Sequence, residues 1–362
     1  MILINANNIK QGGGLSVLMS FLSFFKKSDN DLVIIVPNNL IDNLQIKEFE
    51  NEKNFIFRYV PSNFLYRVFF YNFFVKKICN IYNVNKIYTL GNIALKIEIY
   101  QVLLIQNAFP FIEDDAIINR FPLKFRLYIK LMSKAIIRQV KYANVVFVQT
   151  NVIKKCLNLY YSNLDIRIFP NVQNIPYCNN DVIPIISENI NCLFLSNYYP
   201  HKNFEILFGL IPKINELKLP IKITITLSES EVKSANLNSL LLNYPNIFVN
   251  IGPVSYSEIE VVYSSYNAIF LPSLVESFST NYVEALYFKK IIITSDLPFA
   301  REICNDLAFY FNPFDFTSAI GAFSSIINSP ELISSKFVKY NDRITDLNLN
   351  NSNKTFKSFL DA

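Results

Sequence analysis

The chain has no tryptophan, a single histidine, only seven glycines in 362 residues, and no two cysteines at C-x-x-C spacing. Each shortage removes a class of protein. One histidine excludes a multi-histidine metal centre and leaves no spare imidazole for a Ser–His–Asp arrangement. Five scattered cysteines (Cys79, Cys156, Cys178, Cys192 and Cys304), odd in number, argue for a reducing compartment and against a disulfide framework or a zinc site. No stretch of about 18 apolar residues runs free of charge, so no spanning helix is expected. The chain opens at once on the strand-like Ile2-Leu3-Ile4, with no charged region ahead of an apolar core, so no signal peptide is expected. Charge of neither sign dominates: the net +5 is too mild to argue for nucleic acid, and suits a phosphorylated substrate or an anionic membrane surface. No self-similarity at a period of about 20–50 residues is visible, which excludes a solenoid.

Apolar residues, by contrast, are plentiful at 51%, with 15% aromatic, enough to fill two cores of ordinary size. Short apolar runs alternate with helical periodicity along the whole length, the pattern of doubly wound α/β domains. Ile2–Ile4, the glycine run 12–14, and Leu15, Val17, Leu18, Phe21, Leu22 and Phe25 at helical spacing make the first strand–turn–helix unit. Its glycines let backbone approach a ligand and leave helix amides facing it, although a plain tight turn reads the same way. There is neither a G-x-G-x-x-G nor a GK[ST] here. A polar, proline-containing stretch at 176–189 reads as an interdomain linker. The domains expected are 1–175 and 190–344, with a last helix at 345–362 packing back on the first.

Two helical segments of the first domain are unusual. Residues 64–82 are dense in Phe and Tyr with Arg67, Lys76 and Lys77 between, and 121–141 interleave Lys and Arg with Leu123, Leu127 and Leu131. Such helices suit an anionic bilayer, or are ordinary solvated helices over a core.

The most informative stretch is 271–286, LPSLVESFSTNYVEAL. A buried strand, Ala268–Leu271, ends at Pro272-Ser273, and a helix resumes near Asn281 with Val283, Leu286 and Tyr287 on one face. Glu276 then lies in a loop at the strand's carboxyl end, Glu284 in the first turns of the helix, and a helix N-terminus with unpaired amides lies between them, suited to an anion. Two carboxylates flanking such a site suit a sugar nucleotide, with the amides on the pyrophosphate and the carboxylates on sugar and ribose hydroxyls.

Glu276-x7-Glu284 in this setting resembles the donor-site signature of retaining glycosyltransferases of the GT-B fold, notably family four (glycosyl transferases group 1). Leu271-Pro272-Ser273, Glu276-Ser277-Phe278, Glu284-Ala285-Leu286 and Ile291–Asp296 fall in that family's order. Lys202-Asn203 matches its Lys-Asn after the first strand of the second domain. Ser196-Asn197 stands where the family carries Gly-Arg, and Gln106-Asn107 where many members place a histidine.

The resemblance implies two Rossmann-like domains facing across a cleft, the second holding a nucleotide-diphosphate sugar. In that reading Lys202 binds the diphosphate, helped by Asn197, by the backbone of Phe278, Ser279 and Thr280, and by Gly13 and Gly14 of the first domain. Gly252 lies where the base packs, Glu284 takes the ribose hydroxyls, and Glu276, Lys202 and Asn107 are the catalytic candidates. Asn107 can hydrogen-bond a sugar hydroxyl but cannot titrate. Charge on the departing diphosphate is met by a lysine and a helix terminus, so no cofactor or metal is expected.

The expected acceptor is a lipid-linked saccharide, in bacterial O-antigen or capsule synthesis, and the expected place is the cytoplasm, peripherally on the inner membrane face. A GT-B sugar-nucleotide epimerase and a non-catalytic sugar-nucleotide-binding homologue are the alternatives.

Overall fold

The computed structural model describes residues 1–9, 13–61, 71–169, 189–347, 357 and 359–361. The linker 176–188, Lys10–Gly12 and the aromatic segment 64–70 lie outside the described residues, as does most of 348–356 onward to the last turn. The chain divides into two compact units, residues 1–173 with 352–362, and residues 174–351.

In the first unit seven parallel strands form one sheet: β1 (Ile2–Asn5), β2 (Leu32–Pro37), β3 (Phe55–Val60), β4 (Lys86–Thr89), β5 (Tyr100–Ile105), β6 (Val145–Val148) and β7 (Asp165–Ile168). Their order is β3-β2-β1-β4-β5-β6-β7, each pair in parallel register. All-parallel strands are covered on both faces, which is why they read as unbroken apolar runs: every residue of β2 and of β6 is buried. Helix Gly13–Phe25 buries Val17, Leu18, Phe21, Leu22 and Phe25 on one stripe against the sheet.

The core of this unit is completed from far along the chain. Phe359 is fully buried, with ring centroids of Phe147, Phe169, Phe21 and Tyr88 at 4.4, 5.0, 5.1 and 5.7 Å. The Leu360 carbonyl accepts from the Tyr88 hydroxyl at 2.6 Å and from Lys86 Nζ at 3.1 Å.

The second unit has six parallel strands: β8 (Ile190–Phe194), β9 (Ile221–Ile225), β10 (Phe248–Asn250), β11 (Ala268–Leu271), β12 (Ile291–Ser295) and β13 (Phe309–Phe311). They are ordered β10-β9-β8-β11-β12-β13. The apolar runs at Ile2–Ile4, at Ala268–Leu271 and from Ile291 fall on β1, β11 and β12.

Helix starts are less faithful to the pattern. After Lys202-Asn203 the α-helix starts only at Leu207, behind two short 3-10 turns, 200–202 and 204–206. Asn203 joins them in the left-handed conformation (φ 58°), which asparagine tolerates better than other non-glycine residues. Lys202 thus ends a 3-10 turn rather than opening an α-helix.

In each sheet the strand order reverses once, between β1 and β4 and between β8 and β11. In open parallel sheets, ligands collect outside the carboxyl ends of the strands at such a reversal.

Candidate active site

At the carboxyl ends of β8 and β11 two loops converge. The first, 195–203, carries Lys202; the second, 272–279, carries Glu276. They are stitched together by backbone, with Leu274 N–H donating to the His201 carbonyl at 2.7 Å. The first turn of helix Thr280–Tyr287 is tied to the same place, as Asn281 Nδ2 donates to the Leu195 carbonyl at 2.7 Å. Asn203, itself buried, fixes the back of the first loop by donating from Nδ2 to the Pro313 carbonyl at 2.9 Å.

This framework brings Lys202 Nζ to 2.5 Å from Glu276 Oε1, across 74 residues of sequence, with side chains only 17% and 12% exposed. Burial pushes the Glu276 carboxyl upward. The charge of Lys202 and hydrogen bonds from Lys202 and Ser273 outweigh it and hold the group below the usual carboxylate range. Glu276 is therefore an anion at neutral pH. His201 is held neutral: burial drives its imidazole down to about 4, Glu276 opposing and Lys202 adding to the shift. The site thus contains a paired cation and anion beside a neutral imidazole.

Helix Thr280–Tyr287 begins after Ser279, whose side chain makes no capping hydrogen bond. Ser279 is buried, Phe278 half-buried and Thr280 exposed; the first two close the second loop and Thr280 opens the helix. One turn on, Glu284 is buried. Burial raises its pKa, with hydrogen bonds from Tyr263 and Thr280 pulling the other way, and the Tyr263 hydroxyl donates to Oε2 at 2.9 Å. Tyr263 was not singled out in the sequence, because its spacing to Glu284 carries no pattern.

The helix is anchored below by a relay. The Thr294 hydroxyl donates to the Leu271 carbonyl at 2.9 Å, so its oxygen accepts from the Tyr282 hydroxyl at 2.7 Å.

Asn197 is exposed in the first loop. Gly252 follows β10 with φ +82°, a conformation side chains rarely adopt, and donates to Asn250 Oδ1 at 3.3 Å. The second unit thus brings together Lys202, Glu276, Phe278, Ser279 and Thr280 on two loops, with Glu284 one turn deeper, Asn197 on the first loop and Gly252 on a third connection.

Gly13, Gly14 and Asn107 belong to the first unit. Gly13 and Gly14 open the helix after β1; a Cβ on Gly13 would meet nothing within 4 Å. Asn107 follows β5; its Oδ1 accepts from Phe109 N–H at 2.9 Å, and its amide nitrogen lies 3.3 Å from Met132 Sδ.

Around the reversal of this first sheet the structure gathers amides that pattern reading overlooked. Asn5, at the end of β1 and buried, accepts from the Tyr71 hydroxyl at 2.5 Å, and Asn8 Nδ2 donates to the Gly91 carbonyl at 2.7 Å. The available signal was an asparagine closing an apolar strand.

One Asp-x-Asp, Asp29 to Asp31, precedes β2 at the amino edge of the sheet. Among the described residues no group of three His, Cys, Asp or Glu is placed to hold a metal ion, and no helix is long and apolar enough to cross a membrane.

Residues 180–343 match the family described as glycosyl transferases group 1. A stretch of 81 residues is 35% identical to the O-antigen chain mannosyltransferase RfbU of Salmonella typhimurium strain LT2, covering 22% of this chain and 23% of that protein. The fold matches that of Anabaena Alr3699/HepE, solved in complex with UDP and glucose, at a TM-score of 0.68 and 12% identity, over 99% of this chain and 98% of that one. It also matches sucrose-phosphate synthase (tll1590) from Thermosynechococcus elongatus at 0.69 and 13% identity, over 96% and 94% of the two chains. At such identities the likeness speaks for the fold, which is GT-B: two Rossmann-like units, each with its parallel sheet.

Proposed function

We propose that this chain, whose residues 180–343 match the glycosyl transferases group 1 family, moves a sugar from a nucleoside-diphosphate sugar to a saccharide acceptor with retention at the anomeric carbon. The observation that carries the reading is the Lys202–Glu276 pair at the reversal of the second sheet, beside the start of helix Thr280–Tyr287.

As the bond from the anomeric carbon to the diphosphate oxygen breaks, negative charge grows on the leaving group. Lys202 and the amides of 278–280 are the donors that meet it, and such preorganised donors act most strongly where the transition state is most charged. Glu276, an anion at neutral pH, accepts hydroxyls of the donor sugar once Lys202 turns to the diphosphate. Glu284, anchored by Tyr263, faces the ribose, with the base near Gly252 and Asn197 at the rim. Neither carboxylate is assigned as a covalent nucleophile.

We infer a lipid-linked acceptor in surface-polysaccharide synthesis, O-antigen or capsule, of which the likeness to an O-antigen chain mannosyltransferase supports the O-antigen setting. The exposed basic helix of the first unit supports work at the inner face of a membrane.

The test is transfer from a panel of UDP- and GDP-sugars to a lipid-linked acceptor, comparing wild type with Lys202→Ala and Glu276→Gln. The expected result is turnover by wild type and a loss of about 10²–10³ in kcat for Lys202→Ala, the scale of one lost transition-state donor. Chelation with EDTA is expected to leave turnover unchanged. Tight sugar-nucleotide binding without turnover would instead identify a non-catalytic homologue, and an epimerised sugar nucleotide would identify an epimerase.

A further inference from the structure

We propose that a cleft bounded by Lys96, Arg138 and Lys141 is a headgroup site by which the first unit sits on an anionic phospholipid bilayer, with helix Leu123–Gln139 lying along the surface. The cleft has a volume of about 370 Å³, and the described residues lining it, those three cations with Asn72, Gln139 and Tyr142, include no carboxylate.

Its walls are held in place by a buried side chain. Gln101 Nε2 donates to the carbonyls of Leu95 and Tyr142, at 3.1 and 3.2 Å, tying the Lys96 segment to the Lys141 turn. Lys141 Nζ lies over the Tyr142 ring, 5.4 Å from its centroid. Arg138 and Lys141 lie just ahead of β6, at its amino end. Substrate crevices of such sheets lie at the carboxyl ends, so this cleft is a separate feature.

The helix leading to the cleft has a second face that the fold does not cover. Ile129 and Ile136 are buried, and on the opposite side Leu123, Leu127 and Leu131 are 79%, 58% and 58% exposed. At four-residue spacing these leucines fall within about 80° of one another, and Lys130, Lys134 and Arg138 fall on the same side. From residue 116 to residue 164 the chain has no Asp or Glu, but it has Arg120, Lys124, Arg126, Lys130, Lys134, Arg138, Lys141, Lys154 and Lys155.

A row of bare leucines flanked by long cationic side chains fits the boundary between acyl chains and headgroups. Nucleic acid would use the cations and leave the leucines in water. Charge complementarity and the apolar row together therefore favour lipid. This assignment rests on the membrane reading of the preceding subsection and is independent of the transfer chemistry.

The experiment is co-sedimentation of the full chain with phosphatidylcholine vesicles, and with phosphatidylcholine–phosphatidylglycerol vesicles at low salt, with circular dichroism as a check on folding. Three double variants are compared: Lys96→Glu with Lys141→Glu, Leu127→Ser with Leu131→Ser, and Lys154→Glu with Lys155→Glu as a charge-matched control.

The expected result is selective binding to anionic vesicles, weakened at least about tenfold by the cleft variant, as suits two cations near a charged surface, and much less by the control. The leucine variant is expected to lose binding, and inorganic phosphate to leave it intact. Equal losses in the cleft and control variants would overturn the headgroup site while leaving the membrane reading standing. Absence of binding to anionic vesicles would overturn both, and displacement by inorganic phosphate would reassign the cleft to a free anion. Transfer to a soluble acceptor analogue is expected to be unaffected by the cleft variant, so a failed transferase reading registers separately.

Discussion

Lys202 and Glu276 neutralise each other in a half-closed place, and removing one strands the other. Lys202→Ala is expected to lower the stability of the second unit by about 3 kcal/mol, the scale for orphaning a buried charge, and adding Glu276→Gln to it should recover most of that loss. Denaturant unfolding of the two single variants and the double variant checks this; strict additivity would show the pair uncoupled. His201 gives a pH signature. Its folded pKa of about 4 lies below the ordinary histidine value of 6.5, so between those limits the unfolded chain binds more protons. Stability is then fully present above pH 6.5 and is lost as pH falls toward 4, by about 2 kcal/mol once its partial exposure is allowed for. Glu276, depressed rather than raised, acts in the same direction, its contribution being lost from the ordinary glutamate value of 4.5 downward. Unfolding of His201→Asn across pH 4–7 should show a flatter dependence than wild type.

Among the elements, helix Thr280–Tyr287 is short and depends on tertiary anchors: Asn281 to the end of β8, Tyr282 to Thr294, and Glu284 to Tyr263. Tyr263→Phe removes the donor from a buried carboxylate and should cost about 1–3 kcal/mol. It should also weaken nucleotide binding, measured by calorimetry, if Glu284 faces the ribose. Most strands were legible in the sequence because burial on both faces writes them as apolar runs, as in β2 and β6, whereas the edge strand β7, with Asp165 and Arg167 exposed, carries a weaker signal. Helix starts were less so: the two 3-10 turns around Asn203 have the same local composition as a helical turn, and only the left-handed φ of Asn203 separates them. Glu276-x7-Glu284 was visible as a motif. That Glu276 pairs with Lys202 was not, because the contact spans 74 residues and depends on strand order. The roles of Tyr263 and Gln101 were hidden for the same reason.

For the whole molecule, the two units are expected to respond differently to ligand. A nucleoside diphosphate at 100 times its Kd should stabilise the unit it binds by about 2.7 kcal/mol. Differential scanning calorimetry with UDP or GDP should then move the transition of the second unit, and a shift confined to the first would contradict the donor assignment. The first unit has its own sensitivity: Phe359→Ala should cost it about 3–5 kcal/mol, as for other fully buried phenylalanines.

That same ring has a bearing on biosynthesis. Phe359 follows Phe169, its neighbour in the first core, by roughly 190 residues, or about 10–40 s of translation at ordinary rates of synthesis. Through that interval the nascent first sheet lacks the aromatic plug between Phe21, Tyr88 and Phe147, and it is then that a ribosome-associated chaperone has an apolar hollow to hold.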